Sequence, residues 1–359
     1  MTMCLVLLVP IGNSYVFALT VPGNTGFFVR SVEWLRDSHA SFLVAAAENV
    51  WYDFNQPPEG GPPLDTLSSP AETAKAPSSN GSASEQGLPK PKDVLPVVSP
   101  ALSKEGVWAP AGQTLSGKAP ILETKLRPDP LHPSVEAGLA WIDTSQIHLA
   151  LVPGLSEPKS NLASGSGKVP RKDVGHLLAT FNGGFKTKDG QGGFVADGKT
   201  YVSPKEGLGT IAIHSNGQVD IGEWGTEVKP STDIAYLRQN LPLIVDGGAP
   251  NSWVNDHSPW VKNTVNNQRM VWRSGIGIDA NGGLVYAASN QITERGLADL
   301  LVRAGAVRAM ALDENSAFVD FFTYASPDGK SPSKLLPSMS HEMNRYLVPD
   351  SRDFFMVTS

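Results

Sequence analysis

The chain has a single cysteine, Cys4, so neither an intrachain disulfide nor a cysteine-based metal site can form. It is also poor in charge: Asp, Glu, Lys and Arg make up 18% of it, against a usual level of about 25%. There is no basic excess. The formal net charge is -6 and the pI is near 5.7, so nothing draws in a polyanion over long range and nucleic acid is not expected as a partner. A His-Glu-x-x-His helix and a calcium-loop pattern are missing. So is a nucleotide phosphate loop: Gly165-Ser166-Gly167-Lys168 is followed by Val169 where a magnesium-binding hydroxyl belongs, and Leu162 stands where the first glycine is required. That stretch reads as a flexible loop.

Charge is wholly absent from Met1 to Val21, where Leu5, Val6, Leu7, Leu8, Val9 and Ile11 lead into Tyr15, Val16, Phe17, Ala18 and Leu19. About 20 apolar residues span a bilayer core. The basic residues that open a secretory signal peptide do not precede this run. A membrane anchor, a cleaved signal and a buried helix all fit. The anchor is the reading adopted, with residues 1–22 as a single pass through the cell membrane and the globular part outside the cytoplasm. Residues 23–53 follow as an amphipathic helical segment, with Val32, Leu35, Phe42 and Leu43 on one side at helical spacing. It either lies on a membrane surface or docks on its own protein.

Residues 54–106 break the composition. Prolines recur from Pro57 to Pro100 around runs such as Ser78-Ser79-Asn80-Gly81-Ser82, and few apolar groups offset the entropy of ordering. An extended, disordered linker is expected. Aliphatic content returns near Val107 and Trp108, which places the globular domain at 107–359.

What the chain does have is turn formers, 35 Gly and 29 Pro. Asn216-Gly217, Asn281-Gly282 and Asp197-Gly198 each sit between alternating apolar runs, the pattern of a β-hairpin whose turn takes positive φ. Thr293 as N-cap, the stripe Leu297, Leu300 and Leu301, and Gly305 as stop mark one helix. Val307 to Leu312 reads as a buried strand and Ala317 to Tyr324 as another. Together these predict an α+β fold: a mixed, largely antiparallel sheet with packed helices.

Four stations end apolar runs in chemically capable residues. Asn182-Gly183-Gly184 follows Leu177-Leu178-Ala179, and such a turn exposes N–H groups to an anionic oxygen; an ordinary turn is the plainer reading. Asp246-Gly247-Gly248 follows Leu243-Ile244-Val245 and reads either as a functional acid or as a turn. Arg273, in Val271-Trp272-Arg273-Ser274-Gly275, has the fork that binds phosphate or pairs with a nearby acid. Asp313-Glu314-Asn315 follows a buried strand, where a cleft would open, and paired carboxylates are what glycosidic cleavage needs. His341 reads as a surface histidine or an acid–base group. Trp253 and Trp260 read as sugar-stacking faces or as packing. Asp246, Asp313 and Glu314 would hold a divalent cation if the fold joined them.

In their order these stations resemble the phosphodiester glycosidase family: Asn182-Gly183-Gly184-Phe185, then Arg273-Ser274-Gly275-Ile276-Gly277, then a helix, Ala304-Gly305-Ala306 and Met310-Ala311-Leu312-Asp313. The likeness covers roughly Gly175 to Asn315. It departs where Glu314-Asn315-Ser316-Ala317 replaces the Gly-Gly-Gly-Ser type of sequence. The resemblance implies hydrolysis of a sugar-1-phosphodiester in an envelope glycan or glycolipid. Arg273 and the N–H groups near Gly183 and Gly184 would hold the phosphate, Asp313 would act at the anomeric carbon, and Asp246 or Glu314 would be the second acid. Asn182, Asn315 and His341 would contact substrate. Arg273→Ala should then abolish turnover and leave the fold intact. A non-catalytic glycan-binding or cell-wall assembly protein on the same scaffold is the alternative.

Overall fold

The computed structural model describes residues 12–20, 26–38, 41–68, 87–255, 267–326, 329 and 331–359. Three antiparallel sheets share one core. The largest runs in the strand order Ala109–Pro110, Ile121–Leu126, Ala137–Ile142, Leu284–Ile292, Val271–Asp279, Ala306–Ala311, Val245–Asp246, Ala249–Pro250. A second joins Lys199–Val202, Phe194–Ala196, Ile234–Gln239, Gly209–His214 and Val219–Glu223. The third joins Pro332–Lys334, Phe321–Tyr324, Leu177–Asn182, Phe354–Thr358 and His148–Val152.

All three sheets contribute side chains to one apolar cluster, including Ile276, Tyr286 and Met310 from the first, Ile211 and Ile221 from the second, and Phe181, Phe321 and Phe355 from the third. Phe181 stacks on Phe355 with centroids 5.0 Å apart, and Tyr286 lies 4.9 Å from Phe321. Such contacts add about 1 kcal/mol each beyond area burial. The other face of the large sheet is covered by helix Glu294–Arg303 through Leu297, Leu300 and Leu301. Thr293 caps that helix, its side chain accepting from the Gly296 N–H at 3.0 Å, and Gly305 ends it with φ 100°. The expected hairpins form as well, with positive φ at Gly198, Gly217 and Gly282.

The structure departs from expectation in three places. The segment 23–53 is two helices, Phe27–Asp37 and Ser41–Phe54, because Ser38 takes an extended conformation. Parts of the linker 54–106 are pinned to the domain: Gly60 N–H donates to Leu131 O, Leu64 N–H to Pro133 O and Gly106 N–H to Lys125 O, and Val94 and Val98 are buried. Proline keeps a chain extended but does not stop it lying along a surface that offers backbone partners. Residues 69–86 of the linker lie outside the described residues. The strand expected from Ala317 starts only at Phe321, since Asn315 O accepts from the N–H groups of Phe318 and Val319 and turns the chain. Of the apolar N-terminal run, residues 12–20 are helical, and residues 1–11 and 21–25 lie outside the description. Among the described residues no helix is long and apolar enough to cross a membrane.

Candidate active site

Strand register assembles the site. Gly275 pairs with Ala311, so continuing the ladder sets Ser274 against Leu312 and Arg273 beside Asp313. Ser274 N–H donates to Asp313 O at 2.9 Å, and Leu312 N–H to Ser274 O at 2.8 Å. In the third sheet Asn182 pairs with Phe354, which brings Gly183 and Gly184 beside Asp353 and Arg352. Two sheets thereby deliver their strand ends to one place. The link between them is Asn182, whose amide nitrogen donates to Ser274 Oγ at 3.1 Å.

Asp313 is buried, and its carboxylate accepts two hydrogen bonds. Arg352 Nη2 donates to Oδ2 at 2.7 Å, and the Asn315 N–H donates to Oδ1 at 2.9 Å. Burial pushes the Asp313 carboxyl above its ordinary range, while Arg352 and the Asn315 bond act against that rise. Arg352 itself lies over the Phe318 ring at 4.3 Å and donates to Gly184 O at 2.9 Å. Burial and Asp313 oppose each other on its guanidinium, and the net shift is upward, so it stays charged. Among the described residues, Arg352 Nε is buried without a hydrogen-bond partner, an unmet donor at the edge of the acid.

Glu314 points the other way. Its Oε2 accepts from Arg273 Nη1 at 2.7 Å, and the same nitrogen donates to Glu294 Oε2 at 2.7 Å. Arg273 Nε donates to Ile292 O at 3.2 Å. The arginine expected to hold phosphate is therefore engaged by two carboxylates and a carbonyl, and what it does is hold Glu314 in place. Burial raises the Glu294 carboxyl, with Arg273 opposing.

Several other expectations are revised by the geometry. Asn182 spends its whole amide on the protein: it donates to Gly183 O and Ser274 Oγ, and accepts from Tyr286 OH at 2.8 Å and the Asp320 N–H at 3.2 Å. It is a structural hub and does not face a ligand. The Gly183 N–H donates to Asp353 O, and a Cβ on Gly183 would lie 2.1 Å from Asp353 Oδ2. This glycine permits close packing against Asp353 and does not cradle phosphate. Gly184 O is the Arg352 acceptor. Asn315 closes its own turn, accepting from the Ala317 N–H at 2.9 Å.

Asp246 stands apart. Val245 pairs with Ala309, so Asp246 lies beside Arg308, 3.5 Å from its Nε. That is five residues of strand from Asp313, roughly 16 Å. Gly247 and Gly248, with φ 56° and 75°, make it a hairpin turn. The shared cation site fails for the same reason, and among the described residues no group of three His, Cys, Asp or Glu is placed to hold a metal ion. His341 is not on the surface. It is buried, with Nδ1 2.8 Å from Asp320 Oδ2, and burial together with Arg345 lowers its basicity. Trp253 is half-buried with its indole N–H donating to Leu243 O at 2.8 Å, so it packs; Trp260 lies outside the described residues.

The sequence reading missed Arg352 and its support. Asp353 is held by Arg238 at 2.9 Å, both fully buried, and Asn240 Nδ2 donates to Ala311 O and Leu312 O under the Asp313 loop. The signal was present in Arg352-Asp353, a charged pair directly before the apolar run Phe354-Phe355-Met356-Val357.

Residues 175–315 match the phosphodiester glycosidase family. No curated protein matches. Among solved structures, the chain is similar to the zebrafish N-acetylglucosamine-1-phosphodiester alpha-N-acetylglucosaminidase catalytic domain auto-inhibited by pro-peptide, at 15% identity, over 69% of this chain and 87% of that one, with a TM-score of 0.48. A hypothetical protein from Synechocystis aligns at 13% identity over 69% and 64% of the two chains, TM-score 0.44. A putative exported protein from Burkholderia pseudomallei aligns at 11% identity over 63% and 74%, TM-score 0.34.

Proposed function

We propose that this chain, whose residues 175–315 match the phosphodiester glycosidase family, hydrolyses a sugar-1-phosphodiester at the Asp313 cleft. The observation that carries the reading is the Asp313–Arg352 pair, a carboxylate and a permanent cation 2.7 Å apart where strand ends of two sheets meet. Arg352 neutralises charge on the departing phosphate oxygens, and its unmet Nε adds a donor. Asp313 takes a proton from the water that attacks the anomeric carbon. The bond between that carbon and the bridging oxygen breaks, and its electron pair leaves with the phosphate. A phosphate ester is a good leaving group, so the second acid has a lesser task. Glu314, paired with Arg273 and turned away from Asp313, braces the turn and is not placed to do that task.

The substrate is proposed to be an envelope glycan or glycolipid, reached from the cell membrane by a protein whose globular part faces outward. The uncharged run from Met1 to Val21 supports this placement. One observation favours the alternative of a non-catalytic glycan-binding protein: Glu314 and its salt bridge to Arg273 fill the turn that the family leaves to glycine. A panel of hexose-1-phosphodiesters separates the two. The wild type should release reducing sugar and Asp313→Asn should not. Binding without release across the panel would establish the alternative.

A further inference from the structure

The segment that leads to Arg352 crosses a buried charged cluster that the cleft chemistry does not use. Asp320, Arg345 and Asp350 are all buried to 1% exposure or less. His341 joins them, with its ring 6.2 Å from that of Phe318. Its Nδ1 lies 2.8 Å from Asp320 Oδ2 and 2.7 Å from Arg345 Nη1, and the same Nη1 also reaches Nε2. Asp350 Oδ1 is 3.8 Å from Arg345 Nη2. The charges of Asp320, Arg345 and Asp350 all act on the imidazole, whereas Glu342, its neighbour in sequence, is exposed.

The partners of this ring ask opposite things of it. A guanidinium nitrogen only donates, so Arg345 needs a ring nitrogen with a lone pair. A carboxylate only accepts, so Asp320 needs an N–H. Asp320 is the one left unmet: neither of its oxygens has a hydrogen-bond partner among the described residues. Two carboxylates against one guanidinium also leave the cluster with an excess negative charge while the ring is neutral. A proton on His341 cancels that charge and offers Asp320 a donor, but sets two cations side by side. Burial and Arg345 hold the imidazole below its ordinary basicity, against the pull of Asp320 and Asp350, so the neutral form is the resting one. The cluster is joined to the cleft on two sides. The Asp320 N–H donates to Asn182 Oδ1 at 3.2 Å, and the Arg352 N–H donates to Asp350 Oδ1 at 3.2 Å. Arg345 and Arg352 also share the Phe318 ring, at 5.5 and 4.3 Å from its centroid.

We propose that His341 is a proton-operated switch: neutral, it accepts from Arg345 and keeps residues 339–353 closed on the domain; protonated, it turns an N–H to Asp320 and releases Arg345, which loosens the seat of Arg352. The fold favours the neutral ring. Its contribution is therefore whole above the unfolded histidine value of about 6.5 and is lost as pH falls from there to the lower folded value. A loss of turnover in acid would rest on the glycosidase reading; the switch itself does not.

The test is amide hydrogen exchange of the full chain at pH 7.5 and at pH 5, each corrected for the intrinsic exchange rate. Residues 339–353 should lose about tenfold in protection at the lower pH. His341→Gln offers Arg345 an acceptor and Asp320 a donor, as the neutral ring does, and takes no proton. In that variant the loss should be absent. In the wild type, the His341 Cε1–H resonance should titrate below the ordinary histidine value of about 6.5, a readout that needs no variant to fold. Equal protection at both pH values, a loss that persists in His341→Gln, or a midpoint at or above the ordinary value would overturn the proposal. Turnover does not enter any of these, so a failed sugar-release assay leaves them readable and their failure leaves that assay unaffected.

Discussion

Arg273 shows how a residue's neighbours decide its role. Its motif suits a phosphate ligand, yet the guanidinium sits between Glu294 and Glu314, all three nearly or fully buried. Removing one partner of such a cluster leaves uncompensated buried charge at a cost of about 3–5 kcal/mol. Arg273→Ala is therefore expected to lower stability by that order in denaturant titration, in contrast to the intact fold that the motif alone suggested. Asp313→Asn unpairs the buried Arg352 and should also lower the melting temperature, but kcat measured well below that temperature should fall on the order of a thousandfold, the range seen for loss of a positioned acid–base group. A second carboxyl gives a pH prediction. Glu123 is buried, and burial raises its pKa to about 7, with Lys125 opposing. A folded-state value above the unfolded one means the fold favours the protonated form. Its contribution is whole below the unfolded pKa of about 4.3 and fades as pH rises through 7. Glu123→Gln should thus melt higher than the wild type at pH 8 and show little advantage at pH 4. The opposite order would mean the charged form is the one the fold holds.

At the scale of elements, hairpins and the capped helix were legible because their signals are local. Asn-Gly turns, Thr293 and the leucine stripe need only neighbours in sequence. Thr293→Ala should cost about 1 kcal/mol in thermal or chemical unfolding, the usual worth of an N-cap. The site was legible only in half. The strand ends carrying Asn182, Arg273 and Asp313 lie together, with Asn182 and the Asp313 backbone both bonded to Ser274, while the Arg273 side chain turns to Glu294 and Glu314. What each side chain does there was not legible, since Arg352 and Asp353 arrive from a strand some 170 residues away in sequence, a distance visible in the Gly184–Arg352 bond. Gly183 illustrates the point: the motif reads as a phosphate cradle, whereas the missing Cβ makes room for Asp353. Gly183→Ala should weaken the fold by several kcal/mol, of order 1–3 for the overpacking alone, and abolish sugar release. A stable Gly183→Ala protein would remove the packing explanation.

The whole molecule joins three sheets at a common core and places the candidate acids at a rim rather than in the interior of any one sheet. Composition foresaw a strand-rich domain and a distinct N-terminal region. It did not foresee that parts of the proline-rich stretch would bind along the domain, because proline content reports stiffness and not what surface lies nearby. Nor did amphipathicity disclose that Glu33 and Asp37 would bridge to Lys186, as the pairing depends on where a chain folds back. The central claim is that Asp313 directs water to a sugar carbon and not to phosphorus. The most direct measurement is hydrolysis of a hexose-1-phosphodiester in heavy-oxygen water, followed by mass spectrometry of both products. The account predicts label in the free sugar, none in the released phosphate ester, and loss of the reaction in Asp313→Asn. Label in the phosphate, or equal turnover by Asp313→Asn, would contradict it.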